Sequence, residues 1–172
     1  MIHPLADCKS SAIPESTNIW QFCVIFPGCR IGENCNICAN SLLESDVIIG
    51  DNVTIKSGVQ LWNGVRVEDD VFIGPNASFC NDKVPRSKHY KKDELTVLQK
   101  GCSIGANATV LTGITIGAYS MIGAGAVITH STEPYSLWVG NPARQTGFVT
   151  RSGVVLDMEK KNKLGIICSL DD

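Results

Sequence analysis

The sequence predicts an all-β parallel β-helix, built from six-residue repeats and interrupted once. Three observations carry that prediction. A large apolar residue recurs every six positions, a small residue recurs four positions behind it, and glycine is frequent directly after the large residue. An amphipathic helix would repeat every 3.6 residues, so a period of six argues for one short strand and a corner per repeat. Three such strands make a triangular coil of about 18 residues, with residues i and i+18 stacked and joined by backbone hydrogen bonds.

The elements follow in chain order. The N-terminal stretch MIHPLADCKSS lies before the repeat and lacks the apolar core of a signal peptide. The large track then runs Ile13, Ile19, Ile25, Ile31, Ile37, Leu43, Ile49, Ile55, Leu61, Val67, Ile73 and Phe79. It resumes at Leu98, Ile104, Val110, Ile116, Ile122 and Ile128. The small track runs from Thr17 through Cys23, Cys29, Cys35 and Ser41 to Ala77, then from Cys102 to Thr132. Cysteine there acts as a small apolar filler, so these thiols need no redox or metal role. The glycine track holds Gly32, Gly50, Gly74, Gly105, Gly117 and Gly123, which is expected where corners need unusual backbone angles.

The break falls at 81–97. Phe79 to Leu98 is nineteen residues, three hexads plus one. The expectation is that one coil's worth of chain leaves the wall and the stack resumes above it, shifted by one residue. Five of the fifteen Lys and Arg fall between Lys83 and Lys92, which points to a local anionic partner. After Thr132 the rhythm ends in proline and aromatics. The expected division is a β-helix domain at 1–147, with the loop inserted, and a β-hairpin-like tail at 148–172 that caps the stack.

Bulk properties exclude several classes. Net charge is −2, so no general attraction to nucleic acid or an anionic membrane is expected. No apolar run reaches the roughly 18 residues of a membrane span. A cytoplasmic protein with reduced thiols is the expectation. Only Cys35 and Cys38 form a C-x-x-C, and no second pair completes a zinc site.

The segments IGENCNICAN, VIIGDNVTI, SIGANATVLTGITIGAYSMIGAGAVITHS and VGNPAR resemble the left-handed β-helix hexapeptide acyltransferases. The resemblance covers nearly the whole chain, and the left hand comes from it alone. Within that superfamily, NVTIKSGVQLWNGVRVEDDVFIGPNASFCNDKVPRSK is similar to the nucleotide-linked amino-sugar N-acetyltransferases of bacterial surface-polysaccharide (lipopolysaccharide O-antigen) pathways. The resemblance implies a homotrimer, with acetyl-CoA bound between subunits and the loop helping to close the cleft. It implies a substrate of the dTDP-3-amino-3,6-dideoxyhexose type. GNPARQTGFVTRSGVVLD is also reminiscent of the branch acting on UDP-2-acetamido-3-amino-glucuronate.

Acetyl transfer to an amine needs a deprotonated amine, close reactants, donors for the tetrahedral oxyanion and exclusion of water. The resemblance places Asn81 and Asp82 at the reacting amine, with the leaving thiolate finally taking the proton. Read without it, Asn81-Asp82 is a turn initiator. Arg86 and Lys88 are expected at the diphosphate of the sugar nucleotide, and His89 beside them is a substrate contact rather than the base. Ala106 and Ala124 share a corner on successive coils, where small residues leave room for pantetheine. By the same resemblance, Asn141, Pro142 and Arg144 of GNPAR are expected to complete the CoA site, with Arg144 at a phosphate. The sequence has three histidines, His3, His89 and His130. Their spacing does not suit the three-histidine zinc of a γ-carbonic-anhydrase-type enzyme, so no metal is expected. Sugar O-acetylation needs a stronger base than this chain offers. A non-catalytic β-helix scaffold is the remaining alternative.

Overall fold

The computed structural model describes residues 1–172 except Ala12, Tyr90 and Asp93. The chain winds as a parallel β-solenoid of about seven turns. Its strands are short, mostly two residues, and fall into three sheets that form the faces of a triangular prism. The first face begins with Asn18–Ile19, the second with Asp7–Cys8 and Val24–Ile25, and the third with Arg30–Ile31. The chain visits first, second and third face in turn. Pairing is parallel with an offset of 18, as in Asn18↔Asn36, Val24↔Leu42 and Arg30↔Ile48.

Both inward tracks are as the sequence predicts from Thr17 onward, while Ile13, the first predicted large residue, is only half-buried. Every large residue from Ile19 to Ile128 is buried, and so is every small-track residue from Thr17 to Thr132. Each fully buried Ile or Leu contributes about 1.5–3 kcal/mol relative to exposure. The polar members of the small track remain satisfied. Thr17 Oγ1 donates to the Gly32 carbonyl at 2.7 Å and accepts the Cys35 N–H at 3.0 Å. Among the described residues no buried side-chain N or O lacks a partner.

Three expectations need correction. First, the repeat starts earlier than Ile13. Ile2 bridges to Ile19 and Asp7–Cys8 pairs with Val24–Ile25, at an offset of 17. One residue is missing from that coil, which hides it from a strict count of six. His3 therefore belongs to the lowest coil, where its N–H bonds to the Ile19 carbonyl at 2.9 Å.

Second, the glycine track does not supply the unusual angles. Those lie two positions later, at Asn34, Asn52, Asp70, Asn76 and Asn107, all with φ between 54° and 61°. Gly58, Gly101, Gly113 and Gly125 share that track with positive φ. Asn and Asp enter this region more readily than other side chains. The glycines after the large residue serve close coil stacking instead. A Cβ on Gly105 would lie 2.5 Å from the Ala124 nitrogen, and one on Gly74 2.7 Å from the Ala106 nitrogen.

Third, no coil leaves the wall at the break. Val65–Val67 pairs directly with Thr96–Leu98, at an offset of 31. Phe72↔Ser103 and Ser78↔Thr109 keep that offset. The excess over 18 is thirteen residues, inserted at a single corner between the second and third faces. Val97 lies in the strand and Thr96 occupies the small inward track, so the loop ends at 95 rather than 97.

Ser136–Gly140 extends the first face, and Ala143–Val149 folds back on it antiparallel. That strand crosses position 147/148. Val155–Leu156 adds a last antiparallel strand.

Candidate active site

The inserted loop leaves the corner between the second and third faces. Asn81 is exposed and makes no hydrogen bond among the described residues. Asp82 Oδ1 accepts the Val84 N–H at 2.8 Å, closing an Asx turn, and lies 3.6 Å from the Lys91 ammonium. Among the described residues Asp82 Oδ2 has no partner. The loop base is held by Lys83 Nζ to Glu94 Oε2 at 2.6 Å. That pair lies over Gly113 of the next coil, where a Cβ would meet both side chains.

Beyond the turn the loop curls on itself. The Arg86 carbonyl accepts the His89 N–H at 3.1 Å, and Lys88 between them sits at φ 62°. Val84, Arg86, Ser87, His89 and Lys91 line an open hollow of about 450 Å³. Arg86 and His89 are thus brought together, while Lys88 is outside the lining. One apolar wall and two fixed cations suit a phosphate-bearing ligand. Lys91, which no sequence motif singles out, lines this hollow while its ammonium lies 3.6 Å from Asp82 Oδ1.

The CoA candidates lie at a different corner, between the first and second faces. Ala106 and Ala124 are stacked there: the Ala106 carbonyl accepts the Gly125 N–H at 2.9 Å. That carbonyl is therefore taken. The Ala106 N–H and both backbone groups of Ala124 have no partner among the described residues. Asn141 and Pro142 form the exposed turn after Gly140, at the upper end of the same corner. Arg144 is exposed, with Nη1 donating to the Ala143 carbonyl at 2.9 Å. His130 is placed by Thr129 Oγ1 at 2.8 Å from Nδ1 and by an edge contact with Trp138. The two groups of candidates thus flank opposite edges of the second face, and one chain does not bring them together. No three His, Cys, Asp or Glu among the described residues are grouped to hold a metal.

Comparison with known proteins follows the same outline. The bacterial transferase hexapeptide family (six repeats) matches residues 46–81 and 96–130, and the hexapeptide repeat of succinyl-transferase matches 28–61. Together they cover more than half of the chain. The chain belongs to the hexapeptide-repeat transferases. Its parallel coils are those of a hexapeptide-repeat β-helix. The family match stops at 81 and restarts at 96, so it skips most of the loop.

This hexapeptide transferase is 50% identical over 54 residues to the dTDP-3-amino-3,6-dideoxy-α-D-galactopyranose 3-N-acetyltransferase of Aneurinibacillus thermoaerophilus. That match covers 31% of this chain and 28% of the relative. Among solved structures, a His-to-Asn variant of perosamine N-acetyltransferase from Caulobacter crescentus, bound to CoA and GDP-perosamine, is similar at TM-score 0.67 and 26% identity. The alignment covers 76% of this chain and 56% of that one. An N-acyltransferase from Bacillus cereus, bound to dTDP and coenzyme A, shares the fold at TM-score 0.68 and 22% identity, covering 76% of this chain and 80% of that one. The chain thus spans little more than half of the Caulobacter protein and less than a third of the curated relative.

Proposed function

We propose that the protein is an acetyl-CoA-dependent N-acetyltransferase acting on the 3-amino group of a nucleotide-linked amino sugar. The observation that carries this reading is the placement of Asn81. It is an exposed, unpartnered amide at the root of a cationic loop, in a chain similar to enzymes that acetylate amino sugars on nucleotides.

The chemistry follows from what the chain offers. The Asn81 amide orients the amine beside the thioester, and Asp82 Oδ2 accepts one of its N–H groups. A partly desolvated amine loses its proton more readily. Its lone pair attacks the thioester carbonyl, the C–N bond forms, and the C–S bond breaks as the tetrahedral adduct collapses. The departing CoA thiolate takes the proton that the amine sheds. Arg86 and Lys88 of the loop, with His89, hold the phosphates of the sugar nucleotide. Free backbone groups at Ala106 and Ala124, and the GNPAR turn with Asn141, Pro142 and Arg144, hold CoA. Because these groups lie on opposite edges of one face, we propose a homotrimer in which a neighbour's loop closes each groove.

A thiol-release assay with acetyl-CoA and a panel of dTDP-, UDP- and GDP-linked amino sugars tests this. A 3-amino sugar nucleotide should be acetylated, and Asn81→Ala should slow turnover about 100-fold, in the range of other lost positioning and oxyanion contacts. No turnover across the panel would overturn the reading. Wild-type rates in Asn81→Ala would remove Asn81 from the site.

A further inference from the structure

A second groove lies on the corner between the first and second faces, two to four coils below Ala106. It is lined by Trp20, Gln21, Asn36, Cys38, Ala39 and Ser57 and encloses about 260 Å³. The track that holds Gly74, Gly105 and Gly123 in the upper coils holds Trp20, Cys38 and Lys56 in the lower ones. The wall is therefore smooth above and carries a flat ring below.

That ring is fixed and open. Trp20 is 40% exposed, yet its Nε1–H donates to Asn36 Oδ1 at 2.7 Å. An indole immobilised on the surface has already lost the rotamer freedom that stacking would cost. Around it stand unused polar groups. The Gln21 side-chain amide and the Ser57 hydroxyl have no partner among the described residues. Phe22 beside them sits at φ 62° and is 56% exposed. Two coils above Trp20, about 10 Å along the corner, lies Lys56. It adjoins Ser57 of the lining without belonging to it, and its ammonium has no carboxylate partner among the described residues.

We propose that this groove binds the nucleoside diphosphate part of the substrate, with the base stacked on Trp20 and a phosphate at Lys56. The inference rests on the sugar-nucleotide reading above. A flat aromatic with the Gln21 amide and the Ser57 hydroxyl beside it suits a heterocycle edged by carbonyls and N–H groups. A ribose and the four-carbon stem of lysine together bridge the gap to the cation. The sugar then extends up the same corner toward Ala106 and Ala124, where the acyl donor lies. The base is thus read by the lower coils, and the neighbour's loop contacts the phosphates and the amine.

Calorimetric titration of the full chain with dTDP, UDP, GDP, thymidine, uridine and CoA tests this. Wild type should bind at least one of the diphosphates. Trp20→Ala should weaken that diphosphate about tenfold or more, the scale of one base–aromatic stack. Trp20→Phe keeps a platform and should stay closer to wild type. Lys56→Ala should weaken the diphosphate and leave the matching nucleoside unchanged. The CoA Kd should not move in any variant. A diphosphate Kd in Trp20→Ala within about twofold of wild type, well short of one stack, would overturn the proposal. So would a wild type that binds none of the three. Failure of CoA binding or acetyl transfer, with Trp20-dependent diphosphate binding intact, would instead sink the acyltransferase reading and leave this groove standing.

Discussion

At the scale of single residues, chemistry is sorted by which way a side chain faces. Cys23, Cys29, Cys35 and Cys102 face inward and are buried, while Cys8, Cys38, Cys80 and Cys168 are half-buried. Burial pushes the Cys29 thiol up to about 12 and the Cys102 thiol higher still. Alkylating reagents need the thiolate, so at pH 8 only the four half-buried cysteines should react in the native protein. All eight should react in denaturant, and mass spectrometry of labelled protein counts them. The linkage has a definite sign. A raised native pKa favours folding below the unfolded thiol value, near 8.5, and that contribution is lost as pH rises toward the native value. The same inward and outward sorting explains what was legible. The filler role of the four cysteines follows from their spacing alone. The partners of Asp82 do not, because they depend on a loop path that no period governs.

At the scale of elements, the informative unit is the corner. A corner has one close-packed position and one left-handed position, two residues apart. Composition marks both with glycine, so the sequence does not say which is which. The two should fail differently. Gly105→Ala drives a Cβ into the Ala124 backbone, whereas Gly125→Ala at φ 69° meets nothing within 4 Å. The first should cost about 1–3 kcal/mol through overpacking and the second about 1 kcal/mol through backbone strain, read from denaturant midpoints. The loop is an extended corner. Deleting 82–94, with Leu95→Gly to supply the left-handed residue, restores the 18-residue offset from Val65–Val67 to Thr96–Leu98. The shortened protein should melt within a few degrees of the full chain, because neither inward track is touched, and acetyl transfer should be lost. A collapse in Tm would show that the loop supports the wall. The sequence located this element by its broken rhythm but misjudged its size, since three hexads and a single corner insertion of thirteen residues look alike along the chain.

At the scale of the whole molecule, each coil touches only the coils above and below it, as in other solenoids. Side chains eighteen residues apart become columns, and a column carries different residues at different heights. The corner that bears Trp20 at the bottom bears Lys56 two coils higher and bare backbone at Ala124 near the top. Register made the columns readable from the sequence, but function lies in the outward side chains, which the period leaves free to vary. The uniform coil rise has one further result. Distances along a corner come only in steps of about 4.8 Å, so the molecule works as a ruler with fixed graduations. Ligands of different length can be fitted by adding or removing a whole coil of eighteen residues, which moves one end of the groove a single graduation and leaves the chemistry at each end unaltered.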